Sequence, residues 1–274
     1  MKKIFITGAS SGLGLAIAHA YAKQSSAGQV FIGLAARRSE HLQKLATELK
    51  NNYQVNCAIY PLDVRDSAAL QAAAQDFIQK YGAPNIVVAA AGVSRGTLTE
   101  HPEDIAASQA IMDINVMGMV HTFQPFIAAM REAVKSKPVA NNAETAQLVG
   151  IASVAGVRGL PGAGAYSASK AATISYLESL RVEMQHFNIA VTTIAPGYIR
   201  TPMTDVNTYK MPFLMDADMF AQKFVNAVAN KRRFCVIPWQ MGWVARFMRL
   251  IPPFLWDFAM KKAPHKKRLD WDWL

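Results

Sequence analysis

Short apolar runs alternate along the chain with longer segments whose apolar residues recur at helical spacing. The runs predict buried strands, because a strand covered on both faces is apolar at successive positions. They lie at residues 3–7, 29–36, 55–62, 85–91, 146–152 and 189–195. The segments between them predict helices at residues 15–23, 40–50 and 67–80, within 101–133, and from 166 to about 187. This order predicts an α/β fold with a doubly wound parallel sheet in one domain, residues 1–238, followed by a helical C-terminal extension, residues 239–274.

The first predicted strand leads into a glycine-rich loop and then a helix. A strand, a glycine loop and a helix in this order form the first turn of a dinucleotide-binding unit. Glycines let the backbone approach a pyrophosphate, and the N-terminus of the helix offers free N–H groups. The spacing is Gly-x-x-x-Gly-x-Gly rather than Gly-x-Gly-x-x-Gly. The candidate cofactor-binding residues in this loop are Gly8, Ser10, Ser11, Gly12, Leu13 and Gly14.

Two arginines follow the second predicted strand, where a site for NAD(H) usually has an acid that binds the ribose 2′-hydroxyl. No acidic residue occurs between Gly14 and Glu40, and Arg37 and Arg38 stand at that place. A guanidinium group matches the geometry of a 2′-phosphate. The alternative is that one or both arginines are solvated surface charges. We favour NADP(H) over NAD(H).

The third and fourth predicted strands also end in candidate cofactor-binding residues. Asp63 and Val64 follow the third strand. The Asp63 carboxylate either accepts a hydrogen bond from the adenine amino group or caps the helix at residues 67–80. Ala91 ends the fourth strand, and Gly92 allows the backbone to lie against a ligand.

Tyr166 and Lys170 lie four positions apart on a predicted helix and therefore share one face. A phenol has a reference pKa of about 10, and lowering it to about 7 requires roughly 4 kcal/mol. A cation at about 4 Å supplies about that much if the effective dielectric constant is near 20. Tyr166 and Lys170 can thus form an acid–base catalyst, although this spacing alone is also common on solvated helix faces. Ser153 follows the fifth predicted strand, at the sheet edge where ligands of α/β proteins bind.

Three further segments are candidates for the site. Asn115 lies in an apolar segment, where its amide must find partners if it is buried. It either holds a water molecule beside Lys170 or satisfies a nearby backbone group. The turn after the sixth strand contributes Pro196, Gly197, Ile199 and Thr201. Residues 203–215 predict a mobile apolar flap, and residues 135–145 an exposed loop.

Composition narrows the class of protein. The chain is 51% apolar and 18% charged, as expected of a globular protein with a large core. Cys57 and Cys235 provide no disulfide framework, and no His/Cys cluster has metal-ligand spacing. The apolar run at residues 4–6 is too short for a signal peptide, so we expect a cytoplasmic location.

Most of the net charge of +10 belongs to the end of the chain, because residues 231–274 hold ten Lys/Arg and three Asp. This distribution and the lack of a recognition motif argue against nucleic-acid binding. Aromatic and aliphatic residues recur there at helical spacing, with basic residues between and after them. The helices of this extension either pack over the substrate cleft or a neighbouring subunit, or they lie on an anionic membrane surface through residues 239–268. Both alternatives point to an apolar substrate.

With these residues placed, the chain resembles the short-chain dehydrogenase/reductase family over about residues 3–237. The resemblance implies a Rossmann-type sheet with helices on both faces, and homodimers or homotetramers built on the long helices. It rests on these residues: the glycine loop from Thr7 to Gly14, Asn115, Ser153, Tyr166 with Lys170, and Pro196 with Gly197.

The resemblance also implies roles for the candidate residues. Tyr166 exchanges a proton with the substrate oxygen, to which Ser153 hydrogen-bonds. Lys170 binds the nicotinamide ribose and lowers the pKa of the tyrosine.

Two further roles come from the same resemblance. Asn115 fixes the water of a proton relay. Thr201 and the backbone near Ile199 contact the nicotinamide carboxamide.

One position departs from the family pattern, because Ala90 replaces an asparagine that normally steadies the sheet beneath the cofactor. The departure affects stability or cofactor affinity and removes no reacting group. We therefore expect an NADP(H)-dependent oxidoreductase that interconverts a carbonyl and an alcohol. The alternative is a non-catalytic cofactor-binding or membrane-associated scaffold of the same fold.

Overall fold

The computed structural model of the protein describes residues 1–26, 28–136, 146–263, 266 and 268. Its strands, in chain order, are β1 (Lys2–Thr7), β2 (Val30–Ala36), β3 (Asn56–Pro61), β4 (Ile86–Ala89), β5 (Gln147–Ile151), β6 (Ala190–Pro196), β7 (Ile199–Arg200), β8 (Met215–Asp216) and β9 (Phe234–Ile237). Seven of them form one parallel sheet in the order β3-β2-β1-β4-β5-β6-β9, and β7 pairs with β8. The fold is therefore a Rossmann-type α/β sheet.

Helices cover both faces of this sheet. In chain order, the helices of the described residues are α1 (Gly12–Gln24), α2 (Ser39–Tyr53), α3 (Ser67–Tyr81), α4 (Asp104–Met112), α5 (Gly118–Lys135), α6 (Gly164–Gln185), α7 (Pro202–Asp205), α8 (Ala217–Ala229), α9 (Trp239–Leu250) and α10 (Pro253–Met260). A π-helical turn, Asp113–Met117, joins α4 to α5.

Successive residues of each central strand enter different cores, as the pleat of a strand requires. On β1, Ile4 and Ile6 pack against α1, α2 and α8. Phe5 faces the opposite side and packs against α3, α5 and α6. Both faces of the sheet are therefore buried, which explains the nearly continuous apolar runs of the sequence.

All six predicted strands and all the predicted helices are present, with ends shifted by a few residues. Helix α8 and strand β9 were not predicted. Strand β9 pairs with β6 and extends the sheet by one strand. The predicted flap, residues 203–215, has regular structure at its two ends, where α7 and β8 overlap it, and its mobility stays a prediction. Residues 137–145 of the predicted loop lie outside the described residues.

The parallel direction of the strands brings six chain segments to one edge of the sheet. Thr7 is in register with Ala35 of β2 and Ala89 of β4, and Ile151 is in register with Ile194 of β6. The segments that follow these strands therefore converge at their carboxyl ends. This is the edge at which open α/β sheets bind ligands.

Candidate active site and cofactor cleft

A cleft of about 460 Å³ lies along the carboxyl ends of the strands, within the usual size range for a small-molecule site. Ser153 and nearly all the predicted cofactor-binding residues line it. These are Gly8, Ser10, Ser11, Gly12, Leu13, Arg37, Arg38, Asp63, Val64, Ala91, Gly92, Tyr166, Lys170, Pro196, Gly197, Ile199 and Thr201. Gly14 and Asn115 lie behind its wall. The roles of all these residues stay predictions.

The glycine loop has the backbone geometry that a pyrophosphate site requires. Gly8 and Gly12 adopt left-handed conformations, with φ of 72° and 56°. A Cβ atom at Gly14 would overlap the Gly8 carbonyl, so only glycine lets α1 start so close to the loop. The first turn of α1 has no acidic residue, and its N-cap, Ser11, makes no side-chain capping bond. The N–H groups at this end therefore favour an anion.

Arg38 connects the end of β2 to the glycine loop. Its Nη2 atom lies 3.1 Å from Ser10 Oγ and 3.4 Å from the Ser10 carbonyl oxygen. Arg37 and Arg38 are both exposed at the cleft. Arg38 is thus held beside the loop rather than being only a solvated charge, in a position that suits a phosphate on the adenosine ribose.

Asp63 is held by a neighbour that the sequence argument did not weigh. Its carboxylate accepts from Arg65 Nη2 at 2.8 Å, Nε at 3.1 Å and the backbone nitrogen at 2.9 Å. Partial burial raises the pKa of Asp63, but the hydrogen bonds from Arg65 outweigh it and keep the pKa below its usual value. The capping alternative for Asp63 is wrong, because Asp66 caps α3 by accepting from the Ala69 N–H at 2.9 Å.

Ser153, Tyr166 and Lys170 meet at the end of the cleft opposite the arginines. Ser153 follows β5, and α6 carries the other two side chains. Ser153 and Tyr166 share a hydrogen bond, and the Ser153 hydroxyl also accepts from the Ala155 N–H at 3.1 Å. Lys170 Nζ donates to the Ile151 carbonyl at 2.9 Å and lies 5.9 Å from the centre of the Tyr166 ring.

The protein's own groups shift the pKa of Tyr166 in the direction opposite to the sequence argument. Burial raises this pKa, and the hydrogen bond with Ser153 lowers it by less. Burial also lowers the pKa of Lys170 to about 8. The ammonium is directed to the Ile151 carbonyl rather than held against the phenol, so desolvation prevails at Tyr166. The phenol is therefore protonated at neutral pH.

Asn115 is fully buried in the π-helical turn behind this site. Its Oδ1 accepts from the Val93 N–H at 2.8 Å, and its Nδ2 donates to the Val93 carbonyl at 3.0 Å and to Ser169 Oγ at 2.9 Å. A Cβ atom at Gly92 would lie 3.2 Å from Asn115 Oδ1 and 3.5 Å from Lys170 Nζ. The side chain thus satisfies a nearby backbone, which was one of the two expected roles. Its part in holding a water stays a prediction.

Three residues that the sequence argument did not single out also shape the site. Gly156 lies against the backbone of Lys170, where a Cβ atom would overlap it. Thr204 Oγ1 accepts from the Thr201 N–H at 3.0 Å and fixes the turn after β7. The pKa of Tyr209 is raised to about 12, mainly by burial and in smaller part by the nearby Tyr166. An aromatic residue inside the apolar segment 203–215 was the only signal for it.

The C-terminal extension reaches the rim of the cleft. Lys266 Nζ lies 3.0 Å from Ser94 Oγ and 3.3 Å from the Met203 carbonyl, and burial lowers the pKa of Lys266 to about 8. Arg268 Nε pairs with the buried Asp104 carboxylate at 2.7 Å. These contacts agree with the expectation that part of the extension packs beside the cleft.

Comparisons with known proteins agree on one family. A family model described as short chain dehydrogenase matches residues 2–211. A protein of Myxococcus xanthus described as an uncharacterized oxidoreductase is 32% identical over 259 residues, which cover 94% of this chain and 95% of that protein.

Two solved structures share the fold. A short chain dehydrogenase/reductase from Burkholderia phymatum in complex with NAD has a TM-score of 0.76 at 22% identity, and the match covers 100% of this chain and 98% of that one. The L-sorbose reductase of Gluconobacter frateurii, complexed with NADPH and L-sorbose, has a TM-score of 0.72 at 24% identity, with 86% and 94% covered. One neighbour thus holds NAD and the other NADPH.

The hydrogen bonds of Asn115 predict a large loss of stability when its amide is removed. Asn115→Ala leaves both backbone groups of Val93 and the Ser169 hydroxyl without this partner inside the protein. We expect the free energy of unfolding to fall by about 2–4 kcal/mol, measured by urea denaturation. Asn230→Ala is the control, because Asn230 is exposed and its side chain donates to the Asn226 carbonyl one helical turn earlier. Equal losses in both variants would contradict the structural role of Asn115.

Proposed function

The chain belongs to the short-chain dehydrogenase/reductase family, whose members are oxidoreductases acting on CH–OH and C=O groups, and from this we propose its particular reaction. The protein interconverts a carbonyl and an alcohol of an apolar substrate with NADP(H), using Ser153, Tyr166 and Lys170. The observation that supports this most is their convergence at one end of a cleft whose other end is the glycine loop.

Each side chain has a distinct task in this proposal. When bound, the nicotinamide supplies a hydride to the carbonyl carbon in reduction and accepts one in oxidation. Tyr166 gives the carbonyl oxygen its proton, so that the alcohol forms with its charge balanced. Ser153, which already shares a hydrogen bond with Tyr166, donates to the same oxygen and orients the substrate.

Lys170 and Asn115 support the proton transfer. After Tyr166 has given up its proton, the phenolate lies on the same helix face as the Lys170 ammonium, which stabilises the negative charge. Asn115 lies beside Gly92 and Lys170, where we propose that it positions a water leading protons to Tyr166. The raised pKa of Tyr166 keeps the phenol protonated before reaction, which suits reduction.

Proteins with this fold hold either dinucleotide, so the proposed preference for NADP(H) depends on the side chains at the end of β2. Arg38 is held beside Ser10, and Arg37 lies at the same rim of the cleft. Asp63 is engaged by Arg65, and we propose that its remaining lone pairs accept from the adenine amino group. Pro196, Gly197, Ile199 and Thr201 then hold the nicotinamide end.

Three further features belong to the same proposal. Met203 and Tyr209, near Tyr166, give the substrate end apolar walls and favour an apolar substrate. We propose a cytoplasmic homo-oligomer, as is common in the family, with residues 1–238 as the catalytic domain and 239–274 as a helical extension. No observation favours a non-catalytic scaffold.

Tyr166→Phe tests the catalytic role. The variant keeps the ring but lacks the proton donor, so turnover of a carbonyl found by an NADPH-oxidation screen should fall by about 10³-fold. NADPH binding, measured by nicotinamide fluorescence, should change little. Tyr176→Phe, on the same helix, is the control and should retain full activity. Comparable turnover in both variants would remove Tyr166 from the mechanism.

The ionisation of Lys170 predicts a pH dependence of cofactor binding. Its pKa is lowered to about 8, so the ammonium form that donates hydrogen bonds is lost above that pH. We expect NADPH affinity to be constant below about pH 7.5 and to weaken by up to roughly tenfold per pH unit well above 8, measured by fluorescence titration. Lys170→Met should abolish this dependence, whereas Lys266→Met should retain it. A constant affinity up to about pH 9.5 in the wild type would contradict the role of Lys170.

The paired arginines predict cofactor selectivity. Arg37→Ala combined with Arg38→Ala removes the charges that face the 2′-phosphate, so the Kd for NADPH should rise by about 10–100-fold while the Kd for NADH changes little. Arg232→Ala with Arg233→Ala is the matched control, since this pair precedes β9 at the opposite edge of the sheet. If the first variant raised the Kd values for NADPH and NADH by the same factor, Arg37 and Arg38 would not bind the phosphate.

A further inference from the structure

Helices α9 and α10 present large apolar side chains to solvent. On α9, Phe247 is 68% exposed and Leu250 is 79% exposed, and on α10, Phe258 is 84% exposed. We define the docking face as the large exposed apolar residues of these two helices: Trp239, Trp243, Phe247, Leu250, Phe254, Leu255 and Phe258. Single exposed apolar residues are ordinary, but a contiguous group of this size marks a binding surface.

The two helices differ in how they pack against the body of the protein. The opposite face of α9 is packed, because Met241 and Ala245 are buried against Val154. By contrast, α10 buries none of its residues. Helices this short are marginal in water without tertiary packing. Within the described part of the chain, the docking face is left uncovered.

Arg158 fastens the pair of helices to the body of the protein. Its Nη1 atom donates to the Met248 and Ile251 carbonyls at 2.5 Å each. Its guanidinium lies 4.5 Å from the centre of the Trp256 ring, so one side chain holds the end of α9 and the start of α10. The orientation of the docking face is thereby fixed.

Charges around the docking face indicate which partner it fits. Residues 239–262 contain four cations, Arg246, Arg249, Lys261 and Lys262, and one carboxylate, Asp257. All five are exposed, and the Arg246 guanidinium lies 5.3 Å from the Trp243 ring centre. Long cationic side chains beside tryptophans can reach a headgroup layer while the rings enter the acyl boundary.

The dimensions exclude a spanning arrangement for the described helices. None of the helices in the described ranges is both long and apolar enough to cross a bilayer. Helices α9 and α10 have 12 and 8 residues, whereas a span needs about 20. An apolar face edged with cations on short helices fits the plane of the interface instead.

We propose that the docking face binds the surface of an anionic lipid bilayer, with its aromatic side chains in the interface and its four cations at the headgroups. This proposal rests on the geometry of α9 and α10 and does not require the proposed reaction. A second copy of the chain fits less well. A two-fold contact places the same face of each copy together, so eight cations would share one interface with two carboxylates.

Vesicle binding by the full-length protein tests the proposal. We expect co-sedimentation with phosphatidylcholine vesicles that contain about 30 mol% phosphatidylserine to be at least tenfold stronger than with phosphatidylcholine alone, and to weaken as salt is added. Trp243→Ser with Phe247→Ser should reduce binding to the anionic vesicles about tenfold or more. Lys261→Glu with Lys262→Glu should do the same by removing charge complementarity.

Matched controls separate these effects from general ones. Ile105→Ser with Val182→Ser removes two exposed apolar side chains elsewhere, and Lys44→Glu with Lys223→Glu makes the same charge change elsewhere. Both controls should bind vesicles like the wild type, and NADPH binding should be unchanged in all four variants. Absence of wild-type binding to anionic vesicles would overturn the proposal. So would equal losses in the test and control variants, or a docking-face variant that turns an oligomer into monomers, by light scattering, while vesicle binding is unchanged.

Discussion

The ammonium group of Lys170 is buried, and the neighbouring residues of the candidate site provide its hydrogen-bond partner and the space that it occupies. Taking a charge out of water is unfavourable, as the lowered pKa of Lys170 records. The Ile151 carbonyl supplies one partner for the ammonium. Gly92 and Gly156 provide the space, since a Cβ atom at the first would crowd Asn115 Oδ1 at 3.2 Å and touch Nζ at 3.5 Å, and one at the second would collide with the backbone of Lys170. A cation kept in so confined a place is available to neighbouring anions without competition from solvent.

Fold and cofactor choice are decided by different parts of the chain. Solved structures that share the fold hold either NAD or NADPH, so the fold alone does not choose the cofactor. We propose that selectivity is carried by a few side chains at the end of β2, where Arg38 is held beside Ser10 of the glycine loop. The same separation holds at the other end of the cleft, where Met203 and Tyr209 come from a segment outside the sheet. A scaffold of this kind permits many substrates, since function is set by the residues placed on it.

The sequence was sufficient for those parts of the site that follow from period and direction. The ends of parallel strands share an edge, so Arg37, Asp63 and Ser153 could be placed together before any coordinates. Helical spacing likewise put Tyr166 and Lys170 on one face. The partner of Asp63 and the direction of the Tyr166 pKa shift could not be derived. Both depend on which atoms surround a group within a few ångströms, and periodicity carries no information at that scale.

Elements at the end of the sheet were harder to derive for a related reason. Helix α8 and strand β9 lie where the pattern of the chain merges into the basic extension, and the short apolar run of β9 resembles the segments after it. The π-helical turn at Asn115 has no signal in composition. It becomes understandable only once the Asn115 amide is seen to bond both to the Val93 backbone and to Ser169.

Arg158 has a consequence for control of the enzyme. It lies on the loop that begins at Ser153, and its guanidinium donates hydrogen bonds to the Met248 and Ile251 carbonyls at the end of α9. If a bilayer holds α9 and α10, any tilt of that pair is transmitted through Arg158 to the loop that begins at Ser153. Thermodynamic linkage makes such coupling reciprocal: if attachment to lipid strengthens substrate binding through this loop, bound substrate strengthens attachment to lipid by the same factor. The bilayer would then be an allosteric effector of substrate binding.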